Sequence, residues 1–359
     1  MIGVRALDPV ASAGQIVQFW NANIGDRFPL DERLWRQQVS MGKSESLLLA
    51  AFETGESVEN GDAIMTAANQ SLPALCATPM PLLGLAMAKR ASGRDSGHAP
   101  LAGGNLSFIL VAEQARRRGI GTALLGKIEG WARARGVVTL AMGQDSYHFF
   151  PGAPLGESSS AKSLLGFLDA RGFTAGGAEH DVLADLGSLD FALLGRGVKR
   201  SPGYSVIHFR PELRESLEAF FMANFPGRWR SDTMEALDAG MRKEDLLLCI
   251  EDSTSLIVGF SRIYDNSSSI LGPGVYWRGI MGSAPCGLGP IGVDESRRGL
   301  GLGLRLLYES LLELARRGGR VCAIDWTDLV DFYAKMGFAI WKSYRLYSKN
   351  LGGNADGPR

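Results

Sequence analysis

The chain has 359 residues, of which 45% are hydrophobic and 21% charged. This composition is typical of a globular protein, and the length is sufficient for two domains. Lysine plus arginine and aspartate plus glutamate number 38 each, so no net charge favours nucleic acid or an anionic membrane as a partner. No apolar segment approaches the roughly 20 residues of a membrane-spanning helix, and the first residues lack a signal-peptide pattern. We therefore expect a cytoplasmic protein.

The cysteines and histidines lie far apart, without a Cys-x-x-Cys motif or the spacing of paired metal ligands. We expect free thiols and no metal site. The cysteines are Cys76, Cys249, Cys286 and Cys322.

Strand and helix patterns alternate through the first half of the chain. The predicted strands span residues 2–7, 46–52, 82–88, 106–111 and 137–142, and the predicted helices span 11–24, 30–41 and 122–135. A polar, proline-containing excursion precedes the third strand, and a glycine- and serine-rich loop spans 90–104.

The second half follows a predicted linker at 187–203. Its early strands are predicted at 204–210, 246–251 and 256–264, and its early helices at 211–224 and 231–239. This alternation indicates a mixed sheet flanked by helices, which is an α/β fold class.

A strand over 289–293 leads through a charged segment into a glycine-rich turn and an amphipathic helix. The free N–H groups and the dipole at a helix start suit a phosphate or pyrophosphate, and glycines let the backbone approach it. The turn lacks the Gly-Lys-Ser/Thr ending of a P-loop, and it lies too late in its half for a dinucleotide fingerprint. The candidate binding residues are Ile291, Gly292, Val293, Arg298, Gly299, Leu300, Gly301, Leu302 and Gly303.

The same motif occurs 182 positions earlier, where Val111, Gly119 and Gly121 match Val293, Gly301 and Gly303. A repeat of this size implies a duplicated domain. It gives a possible second anion site at Val111, Arg116, Arg117, Arg118, Gly119, Ile120 and Gly121.

The pattern Arg-x-x-Gly-x-Gly after a valine-ended strand resembles the acyl-CoA pyrophosphate turn of the GNAT acyltransferase superfamily. The segment Phe-Tyr-Ala-Lys-Met-Gly-Phe at 332–338 is similar to a second GNAT signature. The resemblance implies that Tyr333 protonates the departing coenzyme A thiolate, and that the backbone at Ile291 and Val293 binds the acyl-pantetheine arm. The alternative is that Phe332 and Tyr333 are only core aromatics.

An amine nucleophile must also lose a proton, and the candidate acceptor is Asp325, at the end of the strand before Tyr333. The alternative is a carboxylate that caps a turn. The first half has Gly143 and Leu168 at the matching positions, so we expect the second half to catalyse.

Matching residues of the two halves are 182 positions apart at the glycine turn and 165 positions apart at the second signature. The first half therefore carries 17 extra residues between strand and helix. This insertion includes the aromatic run 147–154. It forms either part of a substrate wall or a seal between the halves.

We therefore predict two tandem GNAT-fold domains, residues 1–190 and 204–351, with a disordered tail at 352–359. The motifs resemble bacterial tandem-GNAT glucosamine/glucosaminide N-acetyltransferases, which implies acetyl-CoA, an amino-sugar substrate and a monomer that imitates a dimer. Alternatives are acetylation of a cysteinyl amine, as in mycothiol synthase, and a non-catalytic acyl-CoA sensor. Aromatic candidates for substrate contact are Phe150, Trp277 and Trp326.

Overall fold

The computed structural model describes residues 1–42, 44–53, 81–91 and 103–352. The strands of the first half are β1 (Ile2–Ala6), β2 (Ser44–Glu53), β3 (Leu82–Ala91), β4 (Gly103–Val111), β5 (Thr139–Met142), β6 (Ala153–Pro154) and β7 (Thr174–Asp185). Its helices are α1 (Ala13–Ile24), α2 (Glu32–Ser40), α3 (Ile120–Arg133) and α4 (Ser159–Ala170).

A connector, residues 187–203, joins the halves and contains the short helix α5 (Phe191–Arg196). The strands of the second half are β8 (Tyr204–His208), β9 (Leu246–Glu251), β10 (Leu256–Asp265), β11 (Pro285–Val293), β12 (Val321–Thr327) and β13 (Ala339–Asn350). Its helices are α6 (Arg214–Asn224), α7 (Arg228–Asp238), α8 (Leu302–Arg316) and α9 (Val330–Ala334).

All described strands belong to one mixed sheet, in the order β1-β2-β3-β4-β5-β13-β7-β12-β11-β10-β9-β8, with β6 beside β13. The last strands of the two halves are exchanged. Strand β13 pairs with β5 of the first half, β7 pairs with β12 of the second, and β7 and β13 pair with each other. Each half therefore completes its part of the sheet with a strand from the other half.

Each half contains one parallel strand pair that separates partway along its length. Strands β4 and β5 are paired only as far as Leu106 and Met142, and β11 and β12 only as far as Leu288 and Ile324. Beyond these residues the strands diverge, which leaves a cleft open toward the glycine turns.

The predicted strands and helices of both halves are confirmed, with boundaries that shift by a few residues. Helix α5 lies inside the segment that we predicted as an irregular linker, because the run Phe191-Ala-Leu-Leu194 gives it an apolar side that packs toward α8. The excursion at 54–80 with Cys76, most of the loop at 90–104, and the tail from 353 lie outside the described residues.

Cys249, Cys286 and Cys322 are free and buried, as predicted. No helix in the described ranges is long and apolar enough to cross a bilayer.

One aromatic core cluster joins the two halves. The segment between β5 and α4, residues 143–158, carries the insertion and contributes Phe149 and Phe150, which stack on Trp35 and Trp277 respectively. Trp277 comes from the second half. The aromatic part of the insertion therefore packs between the halves, as the sealing alternative requires.

Candidate active site

The two glycine turns have the same backbone conformation. Gly119 and Gly301 both adopt the left-handed conformation, with φ of 80° and 85°, immediately before α3 and α8 begin. Arg116 and Arg298 both have φ of −65°, after matching short 3₁₀ segments. Because side chains with a β-carbon are disfavoured at positive φ, glycine is the residue that this turn requires, and the repeat in the sequence is a repeat in structure.

The turn of the first half opens onto a cavity of about 540 Å³. No described atom lies within 4 Å of a β-carbon placed on Gly119. Aromatic and cationic side chains both line this cavity. Its aromatic and cationic lining side chains include Trp20, Phe28, Phe108, Phe150, Arg27, Arg116, Arg117, Lys162 and Arg171.

The connector lies against the turn of the second half at Leu300 and Gly301. A β-carbon on Gly301 would lie 3.0 Å from side-chain carbons of Lys199. Ser201 Oγ donates to the carbonyl of Leu300 at 2.9 Å, and Arg305 donates to the carbonyls of Arg200 in the connector and of Tyr204 at the start of β8, both at 2.8 Å. We predicted this turn as the main coenzyme site, whereas the cavity of about 540 Å³ lies over the turn of the first half.

Tyr333 lies in α9 with its ring between Phe332 and Phe338, and its side chain is buried. No group in the described residues forms a hydrogen bond with its hydroxyl. Burial, and then the negative charges of Asp325 and Asp328, raise the pKa of Tyr333. The hydroxyl therefore keeps its proton at neutral pH, as a general acid must.

Asp325 follows Ile324, the last residue of β12 that pairs with β11, so it lies at the point where these two strands separate. Its side chain is 14% exposed, and its Oδ2 lies 3.2 Å from Nε2 of His148. Its Oδ1 faces Gly289 of β11, where an added β-carbon would lie 3.4 Å away. The carboxylate thus borders the cleft in which an acyl group on β11 would react.

The matching positions of the first half have no room for such groups. A β-carbon on Gly143 would lie 2.2 Å from the carbonyl oxygen of Phe150, so the insertion occupies the place of the carboxylate. Leu168, at the position of Tyr333, is fully buried and has no proton to donate.

Three polar residues around Asp325 were not predicted. His148 and Asp181 come from the first half, and Arg228 comes from α7. Burial, and then the charge of Asp325, raise the pKa of Asp181 to about 7, although Tyr344 donates to it at 2.6 Å. The sequence signal for His148 was its place in the insertion; Asp181 and Arg228 had none.

The three aromatic candidates lie in different environments. Phe150 lines the first-half cavity, and Trp277 is stacked on it inside the core cluster. The guanidinium carbon of Arg228 lies 4.3 Å from the ring centroid of Trp326. The backbone of Trp326 has a positive φ of 47°. A substrate contact at these residues stays a prediction.

A diverging parallel strand pair, a glycine turn at a helix start and a protonated tyrosine beside a carboxylate define an acyl-CoA-dependent transferase. The chain belongs to the acetyltransferase (GNAT) family. The family model matches residues 82–151 and 212–338, together more than half of the chain.

Solved structures share the fold at low sequence identity, and no curated protein sequence matches significantly. A fungal GCN5-related glucosamine N-acetyltransferase region, part of a multi-domain GH3 β-N-acetylglucosaminidase, superposes with a TM-score of 0.79 at 19% identity, over 97% of this chain and 38% of that one. A tandem GNAT protein from the clavulanic acid biosynthesis pathway superposes with a TM-score of 0.66 at 16% identity, over 99% and 100% of the two chains. A GCN5-related N-acetyltransferase from Sphaerobacter thermophilus gives 0.64 at 18% identity, over 99% and 98%.

Proposed function

We propose that this acetyltransferase moves the acetyl group of acetyl-CoA to the primary amine of a small substrate, and that the second half carries out the chemistry. One observation supports this assignment above the others: Asp325 and Tyr333 lie in the second half, whereas the first half has no space for the carboxylate and a leucine in place of the tyrosine.

In the proposed reaction Asp325 accepts a proton from the substrate ammonium, which leaves a neutral amine. The amine nitrogen then bonds to the thioester carbonyl carbon and gives up its surplus proton to solvent, the carbon–sulfur bond breaks, and Asp325 returns its own proton to solvent. Tyr333 gives its proton to the departing thiolate and is reprotonated from solvent. Backbone at Ile291 and Val293 holds the acyl-pantetheine arm along β11.

Glucosamine or a glucosaminide is the first substrate that we propose. The sequence motifs resemble those of bacterial glucosaminide N-acetyltransferases, and the fungal region that shares the fold is itself a glucosamine N-acetyltransferase. Acetylation of a cysteinyl amine is the alternative within the same chemistry. We further propose that the protein acts as a monomer, because its two halves already share one sheet.

Thiol release from acetyl-CoA tests the proposal. The amines to compare are glucosamine, chitobiose amines, a cysteinyl-glucosaminyl-inositol conjugate, an aminoglycoside and a peptide amine. We expect glucosamine or a glucosaminide to give the highest kcat/KM. Preference for the cysteinyl conjugate would favour the alternative, and no release with any amine would refute the enzymatic assignment.

A second function, acyl-CoA binding without turnover, is favoured for the first half by its cavity over Arg116 to Gly121. The cavity is lined by the turn cations Arg116 and Arg117 and by aromatic side chains, but its described lining includes no group equivalent to Asp325 or Tyr333. Calorimetry with acetyl-CoA tests this function, since two bound molecules per chain would indicate that both turns bind and one would indicate a single site.

A further inference from the structure

His148 links the first half to the candidate base of the second half. Its imidazole is 2% exposed, and Nε2 lies 3.2 Å from Oδ2 of Asp325. On the other side of the ring, Nδ1 lies 3.0 Å from Nη1 of Arg228. The imidazole therefore stands between a carboxylate and a guanidinium, each of which it contacts with a different nitrogen.

The guanidinium determines which ring nitrogen carries the proton. Arginine has only donors, so Nδ1 of His148 must accept from Arg228. In the neutral imidazole the proton is then on Nε2, facing Asp325. His148 is thus a donor to the carboxylate of Asp325.

The two carboxylate oxygens of Asp325 have different neighbours. Oδ2 of Asp325 faces the imidazole, while Oδ1 faces Gly289 at the opening between β11 and β12. No hydrogen bond to Oδ1 is formed within the described parts of the chain. Oδ1 is therefore the oxygen available to a substrate ammonium.

The insertion that carries His148 is fixed from both halves. On one side Lys89 of β3 and Asp145 form a buried ion pair at 2.8 Å. On the other side Ser146 Oγ donates to Asp232 of α7 at 2.5 Å, and the hydroxyl of Tyr147 donates to the backbone carbonyl of Asp232 at 3.2 Å. These contacts make His148 a rigid support, since neighbours on both sides hold its backbone in place.

We propose that His148 is a positioning residue that orients Asp325 toward the acceptor amine, so that the first half completes the catalytic site of the second. This inference rests on the proposed function. In this inference the insertion of the first half supplies a positioning residue, although the first half has no equivalent of Asp325 or Tyr333.

Two polar variants separate this role from a merely structural one. His148→Gln places an amide nitrogen near the position of Nε2 and keeps a donor for Asp325. His148→Asn places its amide near Nδ1, so it keeps a partner for Arg228 and loses the donor to Asp325. We expect kcat/KM for the amine to fall roughly 10- to 100-fold in His148→Asn, by analogy with other small misplacements of catalytic groups, and to recover most of this loss in His148→Gln. KM for acetyl-CoA should stay unchanged in both.

The interaction with Asp325 is tested by combining variants. In an Asp325→Asn background, His148→Asn should cause little further loss, because the group that it positions is already gone. Equal activity of the Gln and Asn variants, or full additivity with Asp325→Asn, would overturn the inference while leaving the proposed function intact. An unmodified protein that turns over no amine would overturn both.

Discussion

Replacing Tyr333 by phenylalanine removes one hydroxyl and leaves the ring packed between Phe332 and Phe338. No hydrogen bond to the described protein is lost, so we expect the free energy of unfolding to change by less than about 1 kcal/mol. Loss of a general acid should lower kcat by roughly 10²–10⁴-fold, which corresponds to about 3–5 kcal/mol in the barrier. Acetyl-CoA affinity should be retained, because the hydroxyl contributes only when the thiolate leaves.

Tyr347→Phe is the matched control. Tyr347 lies in β13, and its hydroxyl donates to Asp169 at 3.0 Å, away from the diverging strands of the second half. We expect this variant to lose about 1 kcal/mol of stability with kcat unchanged, the opposite of Tyr333→Phe. Steady-state thiol release and urea unfolding measure both quantities. An unchanged kcat in Tyr333→Phe would remove this residue from the mechanism.

The environment of Tyr333 also predicts how the effect depends on pH. Burial and nearby carboxylates raise the pKa of Tyr333, so the phenol stays protonated through the neutral and mildly alkaline range. The ratio of kcat between the unmodified protein and Tyr333→Phe should therefore be constant across that range. A ratio that shrinks as pH rises toward the ordinary pKa of tyrosine would contradict this reasoning.

Three further predictions concern the turns and the buried charges. Gly301→Trp should abolish turnover, whereas Gly119→Trp should leave turnover unchanged and remove acetyl-CoA binding in the first-half cavity. Kinetics and calorimetry on both variants measure these effects, and the reverse result would place the catalytic cofactor site in the first half. Asp181 has a pKa of about 7 in the folded protein against an ordinary 3.8, so the folded state holds a proton that the unfolded state has lost between these values. As pH rises from about 4 to about 7, the free energy of unfolding of the unmodified protein should fall by a few kcal/mol relative to that of Asp181→Asn, and the difference should stay constant above about pH 7, as linkage requires. Free energies of unfolding that change in parallel with pH in the two proteins would refute this. Lys89→Met leaves Asp145 as an unpaired buried charge and should cost about 3–5 kcal/mol in urea unfolding, with part of the loss recovered on adding Asp145→Asn; a loss below 1 kcal/mol would mean that the pair is not buried in solution.

Local signals in the sequence predicted those parts of the fold that depend on local chemistry. The glycine turns were identified because close approach of the backbone to an anion requires glycine, and the structure adds that Gly119 and Gly301 share one conformation with positive φ. The alternation of apolar residues predicted most strands because each is half or fully buried in one sheet. Tyr333 was found through the resemblance of 332–338 to a GNAT signature, and Asp325 through its place at the end of the strand before it, where β11 and β12 separate.

Other features depend on contacts between distant segments, and no local pattern reports them. The exchange of β7 and β13 follows from which strand edges meet at the centre of the sheet, since both strands satisfy the same alternation in either position. His148 appeared as a lone histidine because its partners, Asp325 and Arg228, lie far away in sequence. The two turns have the same motif, and no local pattern shows that Lys199 of the connector lies against Gly301 while no described atom lies within 4 Å of a β-carbon on Gly119.

The exchanged strands give a physical reason why the first half persists without catalytic groups. Strand β7 brings Asp181 beneath Trp326, where Oδ1 of Asp181 accepts from the backbone N–H of Trp326 at 3.2 Å, and the insertion brings His148 against Asp325. Removing the first half would therefore expose the edge of β12, leave β13 without β5 and β7, and strip Asp325 of its support from two sides. The second half, to which we assign catalysis in our proposal, is in this sense incomplete as a separate unit, and selection on that chemistry would also maintain the packing of the first half.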